Sequence, residues 1–262
     1  MLLTRELDES IRRAEIGGIR CAIETARRLW PSVGAQGIEV AGGLAAFTGV
    51  ESPLSQAYGV GTLGPVSRED VERITEFFQS HNTTPRVFVS PLADATLGQA
   101  LAAAGYAPSE YENVLVSDDL DTHARRDERV GVARDLHDWA QASARGFTDR
   151  EELFPGDADV ALLIASSEGV CALEAGERGA IVSTAAMDLR GECSALFAAS
   201  TLPTFRRRGW HTALIRDRIA RARDSGARFV RATARPGSIS ERNFHRCGFA
   251  TLYTRTLWEL KA

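Results

Sequence analysis

Hydrophobic and polar positions alternate along this chain in two rhythms, one of helices and one of short strands. A long helical pattern runs from Thr4 to Leu29, and a second, VARDLHDWAQASARGF, begins at Val132. Between and after them, short apolar runs end at prolines or glycines, as buried strands do. The run ALFAASTLP from Ala195 is of this kind and ends at Pro203. From His211 to Ser225 the apolar residues Leu214, Ile215, Ile219 and Ala222 fall on one helical face. Arg216, Asp217, Arg221, Arg223 and Asp224 are left for solvent, and Gly226 supplies a C-terminal stop. The tail TLYTRTLWEL alternates as a last strand. Strands and helices interleave throughout, so the fold class is mixed α and β.

The pattern also occurs twice. AAFTGVESPLSQAYGVGTLGP from Ala45 leads to a helix at Ser67 to Ser80, then to PRVFVSPLADATLGQALAAAGY. AAMDLRGECSALFAASTLP from Ala185 leads to the helix at His211, then to ARFVRATARPGSISERNFHRCGF. Pro91 precedes Gly105 by 14 positions and Pro236 precedes Gly248 by 12. Tyr58 to Pro91 spans 33 positions and Phe197 to Pro236 spans 39, so the second copy is longer where RRRGW stands. Landmarks recurring in order indicate an internal duplication. The charged stretch from Ser117 to Arg129 has the composition of a linker, which predicts domains at 1–120 and 121–262.

Composition narrows the functional classes. With 262 residues and 44% hydrophobic positions, two cores are affordable. A net charge of -4 and a pI near 5.8 argue against a general nucleic-acid or membrane-surface protein. The N-terminus reads as no signal peptide and no 18-residue apolar run occurs, so a cytoplasmic location is expected. Cys21, Cys171, Cys193 and Cys247 stand far apart, without the spacing of a disulfide framework or a metal site. Lys261 is the single lysine, which reads as a coding bias of a bacterial, GC-rich source.

The basic segment TFRRRGWHTALIRDR poses the chemical question. Three arginines precede a glycine at a helix start, the end where the dipole is already positive. Free backbone N–H groups of a first turn, a glycine and guanidinium groups together form an anion cradle. There is no GxxxxGK[ST] and no GxGxxG. Leu202-Pro203 followed by Arg206-Arg207-Arg208-Gly209-Trp210-His211 resembles the acetyl-CoA loop, Q/R-x-x-G-x-G/A, of the GNAT acetyltransferase superfamily. His211 departs from it, standing where Gly or Ala is usual. The terminal RNFHRCGF extends the resemblance, which covers about Val130 to Leu260. It implies an α+β fold of two tandem GNAT-like domains, each a mostly antiparallel twisted sheet flanked by helices. It implies that backbone groups from Arg207 to Thr212 (Arg207, Arg208, Gly209, Trp210, His211 and Thr212) hold the pyrophosphate of acetyl-CoA, with Arg206 alongside. Thr201 and Leu202 would pair with the pantetheine arm, and Asn243 would contact it.

The first copy differs at this corner. In TLGPVSREDVERI, Ser67 and Asp70 make a capping box, and Glu69, Asp70 and Glu72 load the first turn with negative charge. That suits the dipole and repels a pyrophosphate, so the first half is expected to be a degenerate domain without the cofactor.

The resemblance further implies acetyl transfer to an amine, with a small-molecule acceptor expected and no metal. The tyrosine that many family members place four residues before the G-F glycine is replaced by Phe244. Tyr253 is the nearest phenol to serve as acid, and Glu192 is the nearest carboxylate before the strand to serve as base through a water. A non-catalytic CoA-binding or regulatory protein is the alternative. Nucleic acid and membrane are not expected as partners, and a homodimer is compatible with the sequence.

Overall fold

The computed structural model describes residues 3–177 and 179–261. The chain forms two compact units, one of residues 3–114 with 253–261 and one of residues 115–252.

The N-terminal unit opens on α1 (Arg5–Leu29), capped by Thr4, whose side chain accepts from Leu7 N at 3.1 Å. Glu6 and Asp8 lie in its first turn and Arg27 and Arg28 in its last, matching the dipole. Next come β1 (Gln36–Val40), β2 (Gly43–Phe47), β3 (Ala57–Tyr58), α2 (Arg68–Gln79), β4 (Arg86–Val89), α3 (Ala95–Ala103) and β5 (Tyr106–Ser117). β1, β2 and β3 pair antiparallel, and β3 reaches β4 in parallel through the α2 crossover. The last strand of the chain, β11 (Ala250–Leu260), pairs antiparallel with β4 and lies next to β5. Leu257 is buried, and Trp258 and Leu260 pack against a core that includes Phe47, Ile74, Phe78 and Leu101.

The C-terminal unit holds α4 (Leu120–His123), β6 (Val130–Val132), α5 (Leu136–Thr148), α6 (Asp159–Ser166), β7 (Val170–Glu177), β8 (Ala180–Asp188), β9 (Cys193–Thr201), α7 (Trp210–Asp224), β10 (Phe229–Ala234) and α8 (Ile239–Arg246). Its strands run in the order β10-β9-β8-β7-β6. β6 to β9 are antiparallel neighbours, and β9 pairs parallel with β10 after the α7 crossover. Successive strand residues point to opposite faces. Ala172 and Ala186 meet Trp139 and Ala161 of α5 and α6 on one side, while Leu173, Met187 and Leu196 meet Leu214, Ile215 and Ile219 of α7 on the other. Each unit is thus a mostly antiparallel sheet flanked by helices, closed by one parallel crossover, which is the duplication read from the sequence.

Helix ends fall within one residue of the expected ones for α1, α2 and α7. Two expectations need correction. The stretch from Ser117 to Arg129 contains α4 and packs on α7: the Asp127 N–H donates to Asp217 Oδ2 at 3.3 Å, and Arg126 pairs with Asp224 at 2.7 Å. Asp217, expected at solvent, is therefore 1% exposed, held also by Arg221 Nε at 2.6 Å.

Candidate functional site

The C-terminal unit breaks its own ladder in one place. β9 and β10 pair from Cys193↔Phe229 to Leu196↔Ala232 and no further, although β9 continues to Thr201. On the opposite edge the β8 register slips: Ala186 faces Phe197, but Thr184 faces Ser200. One β8 residue, Ala185, therefore stands against two of β9, Ala198 and Ala199, and Ala198 takes a left-handed φ of 48°. Such a bulge bends its strand and raises the local twist. From Phe197 onward β9 and β10 share no ladder pairs, and the unpaired strand edges between them are the candidate groove.

The groove ends at the arginine loop. Pro203–Phe205 form a 3-10 turn, Arg207 adopts φ 64° and Gly209 φ 82°, and α7 begins at Trp210. Gly209 is suited to this left-handed N-cap. A Cβ there would meet nothing within 4 Å, so the space before the helix is open. Gly209 offers no side-chain cap, and the first cap bond is Ala213 N to Gly209 O at 2.9 Å. Among the described residues no protein acceptor meets the N–H groups of Arg207, Arg208, Gly209, Trp210, His211 or Thr212. Six unfilled donors at the positive end of a 15-residue helix are a candidate anion site.

The three arginines have three different fates. Arg206 clamps the loop to α5: Nε donates to Thr201 O at 3.1 Å, Nη2 to Gly146 O at 2.9 Å, and both terminal nitrogens engage the carboxylate of Asp149. Its bond to Asp149 keeps that carboxyl below the usual carboxylate range. Arg208 folds back, with Nη2 on Thr204 O at 3.0 Å, its guanidinium over the Phe205 ring and Glu177 at 3.6 Å. Arg207 is exposed and has no protein partner among the described residues. It is the one guanidinium of the loop left for a ligand anion. Trp210 offers only its N–H to the front, because its ring is 5% exposed in the core beneath Arg129.

The expected pantetheine contacts are partly taken by the protein. Leu202 N–H donates to Val182 O at 3.0 Å, on the β8 side, and Thr201 Oγ1 lies 2.7 Å from Ser183 Oγ. Asn243 faces His211 instead. Arg246 Nη1 donates to Asn243 Oδ1 at 3.1 Å, which turns Asn243 Nδ2 to His211 Nδ1 at 3.0 Å and leaves the imidazole proton on Nε2. Burial, helped by the nearby Arg218 charge, pushes the His211 pKa down to about 4, so the ring is neutral at pH 7. Phe244, 3% exposed, lies edge-on to His211 and Phe249.

The two expected proton-transfer residues are each engaged by other partners. Glu192 precedes β9 at the end away from Thr201, about 30 Å along an extended strand, and pairs with Arg228 at 2.7 Å. Tyr253 belongs to the N-terminal unit, where its hydroxyl donates to Asp8 Oδ1 at 3.2 Å. Burial and the neighbouring carboxylates of Asp8 and Glu15 raise its pKa further from neutrality. Two features at the site escaped sequence reading. Gly146 lets α5 press on β9, since a Cβ would stand 2.4 Å from Ser200 Oγ. Arg218 lies on the inward face of α7, and its spacing from Leu214 and Ala222 was a visible signal. Among the described residues no group of three His, Cys, Asp or Glu is placed to hold a metal, and no helix is long and apolar enough to cross a membrane.

The corresponding corner of the N-terminal unit is closed by its own side chains. Ser67 Oγ accepts from Asp70 N at 3.1 Å, and Asp70 Oδ2 accepts from Ser67 N at 3.0 Å. With the capping box made and Glu69 and Asp70 in the first turn, the start of α2 is partly capped and negatively charged, which disfavours an anion.

Comparison with known proteins agrees with this geometry. The acetyltransferase (GNAT) family profile matches residues 133–249. No curated protein matches the chain. Among solved structures, a GCN5-related N-acetyltransferase from Kribbella flavida aligns with a TM-score of 0.62 at 16% identity, covering 92% of this chain and 96% of its own. An acetyltransferase of the GNAT family from Colwellia psychrerythraea gives 0.53 at 14%, covering 86% and 84%. A tandem GNAT protein from the clavulanic acid biosynthesis pathway gives 0.54 at 15%, covering 74% and 70%. At such identities the likeness is one of fold. Residues 133–249 thus match the GNAT acetyltransferase family, and the whole chain shares its fold with GNAT structures, a tandem GNAT protein among them.

Proposed function

We propose that the C-terminal unit binds acetyl-CoA and transfers its acetyl group to an amine of a small molecule. The observation that carries this reading is the uncapped start of α7 beside the groove between β9 and β10. In this reading the pyrophosphate takes the N–H groups of Arg207 to Thr212 and the free guanidinium of Arg207. The pantetheine arm lies along the edge of β9 that β10 does not cover. The amine nitrogen attacks the thioester carbonyl, the new C–N bond forms, the C–S bond breaks, and CoA leaves as a thiol after taking a proton. The site supplies position and backbone dipoles for this step. No side chain of β9 between Ala195 and Thr201 is ionisable, so the amine proton leaves through water. Phe244 in the core, where the family's phenol is usual, favours a second reading, a CoA-binding regulator without turnover.

Calorimetric titration with acetyl-CoA tests the cradle. One site per chain is expected, and Arg207→Glu should weaken binding by about 10- to 150-fold, the equivalent of one charge-assisted hydrogen bond. Arg206→Ala should cost less, since that side chain ties down the loop and does not face a ligand. Two sites per chain, or an affinity indifferent to Arg207, would contradict the assignment. Release of free thiol across a panel of small amines separates the enzyme from the regulator.

A further inference from the structure

The inward stripe of α7 carries an arginine where an apolar residue is due. Arg218 stands one turn beyond Leu214 and one before Ala222, and all three are fully buried. Among the described residues no carboxylate forms an ion pair with Arg218. Its guanidinium meets main-chain carbonyls instead: Nη1 donates to Ala186 O at 3.0 Å and to Phe197 O at 3.3 Å, and Nε to Leu214 O at 3.1 Å. Nη2 is buried without a partner. A buried cation with one unfilled donor is costlier than leucine or methionine at the same place, so packing does not account for it.

The two carbonyls name the purpose. Ala186 and Phe197 are the last β8–β9 pair before the bulge, and Leu196 is the last β9 residue paired to β10. The guanidinium therefore bridges the strands at the point where β9 slips against one neighbour and leaves the other. The Phe197 carbonyl shares a peptide group with the Ala198 N–H. A cation on the carbonyl makes that N–H a stronger donor. Burial lowers the guanidinium pKa to about 9, which still leaves it charged at neutral pH.

We propose that Arg218 is a positioning residue for acyl transfer, holding the β9 bulge that opens the groove and polarising the Phe197–Ala198 peptide beside the thioester. This rests on the acetyl-CoA reading above.

Two variants test it. Arg218→Met keeps the length and removes the charge. Arg218→Lys keeps the charge but lacks the planar guanidinium, whose Nε is tied to Leu214 O while Nη1 bonds both strand carbonyls. Backbone hydrogen exchange at residues 197–200 is read on the ligand-free chain. The carbonyl resonance of acetyl-CoA labelled with carbon-13 is read on the complex, and affinity for CoA itself is measured by calorimetry. In Arg218→Met, exchange at these amides should quicken at least tenfold. The bound carbonyl resonance should return at least halfway to its free position. CoA affinity should stay within threefold of the unaltered chain, because the cradle is untouched. Arg218→Lys should fall between. Unchanged exchange together with an unchanged resonance would overturn the proposal, as would a parallel loss of CoA affinity and stability, the sign of a core residue only. If Arg218→Met does not fold, the lysine variant decides by the same two readouts. Quickened exchange in a chain whose unaltered form binds no acetyl-CoA would overturn the cofactor reading and the catalytic purpose with it.

Discussion

At the scale of single residues, His211 shows how neighbours set chemistry. A histidine at a cluster of arginines invites assignment as a phosphate contact or a base. Its Nδ1 is instead filled by Asn243, and its ring is edge-on to Phe244. With a pKa near 4 in the folded chain against 6.5 for a free side chain, it stays neutral where the unfolded chain takes up a proton. Its contribution to stability is therefore complete above pH 6.5 and lost as pH falls toward 4. Between pH 7 and 5 that loss amounts to about 2 kcal/mol. Urea midpoints measured across this range on the native chain and on His211→Gln should diverge, the variant lacking this acid-side fall. Parallel curves would show that His211 is solvated. The same residue scale explains what the sequence concealed. RRRG reads in sequence as an anion loop, but its three identical letters have three different surroundings, and only the position of Asp149 in space separates the clamp Arg206 from the free Arg207. Arg218 was the opposite case, since its place between Leu214 and Ala222 was visible, but the bulge that gives it work was not.

At the scale of elements, the two crossover helices α2 and α7 answer one question in opposite ways. Both follow a strand in a parallel crossover, and both begin with four donors that the helix cannot satisfy. α2 closes its first turn with a capping box between Ser67 and Asp70, and α7 leaves its first turn open behind Gly209. That contrast was legible because caps are local, whereas the packing of α5 on β9 is not. Gly146 had no signature in sequence, although it sets how close α5 comes to the end of the groove. Ser200 cannot move aside for a side chain there, as its hydroxyl is held by Ser143 O at 3.1 Å and Thr184 Oγ1 at 3.0 Å. Gly146→Ala should therefore destabilise the chain by about 1–3 kcal/mol through overpacking, reduced by the better helix propensity of alanine. The pair Gly146→Ala with Ser200→Gly should recover more than half of that loss in chemical denaturation. A strictly additive pair would show that the contact is not the cause.

At the scale of the whole molecule, the duplication in the sequence and the compact units in space do not share their boundaries. A linker at Ser117 to Arg129 suggested that the chain divides near residue 120. In the structure residues 253–261 belong to the N-terminal unit, where Thr256, Leu257, Trp258 and Glu259 pair with β4. Period-two alternation identified this tail as a strand but carried no sign of its partner, because pairing is decided by contacts distant in sequence. The junction is chemically specific. Arg255 is 8% exposed, and its guanidinium pairs with Glu15 at 2.8 Å and Glu112 at 2.7 Å while lying over the Phe88 ring. Removing the strand takes from Glu15 and Glu112 the guanidinium that pairs with both. It also exposes the edge of β4 and uncovers the core beneath Leu257. Residues 1–120 expressed alone should therefore lack cooperative unfolding in calorimetric scans. Co-expression with residues 121–262 should restore a folded complex that purifies as one species. A sharp transition in the isolated 1–120 piece would show that β11 is dispensable there.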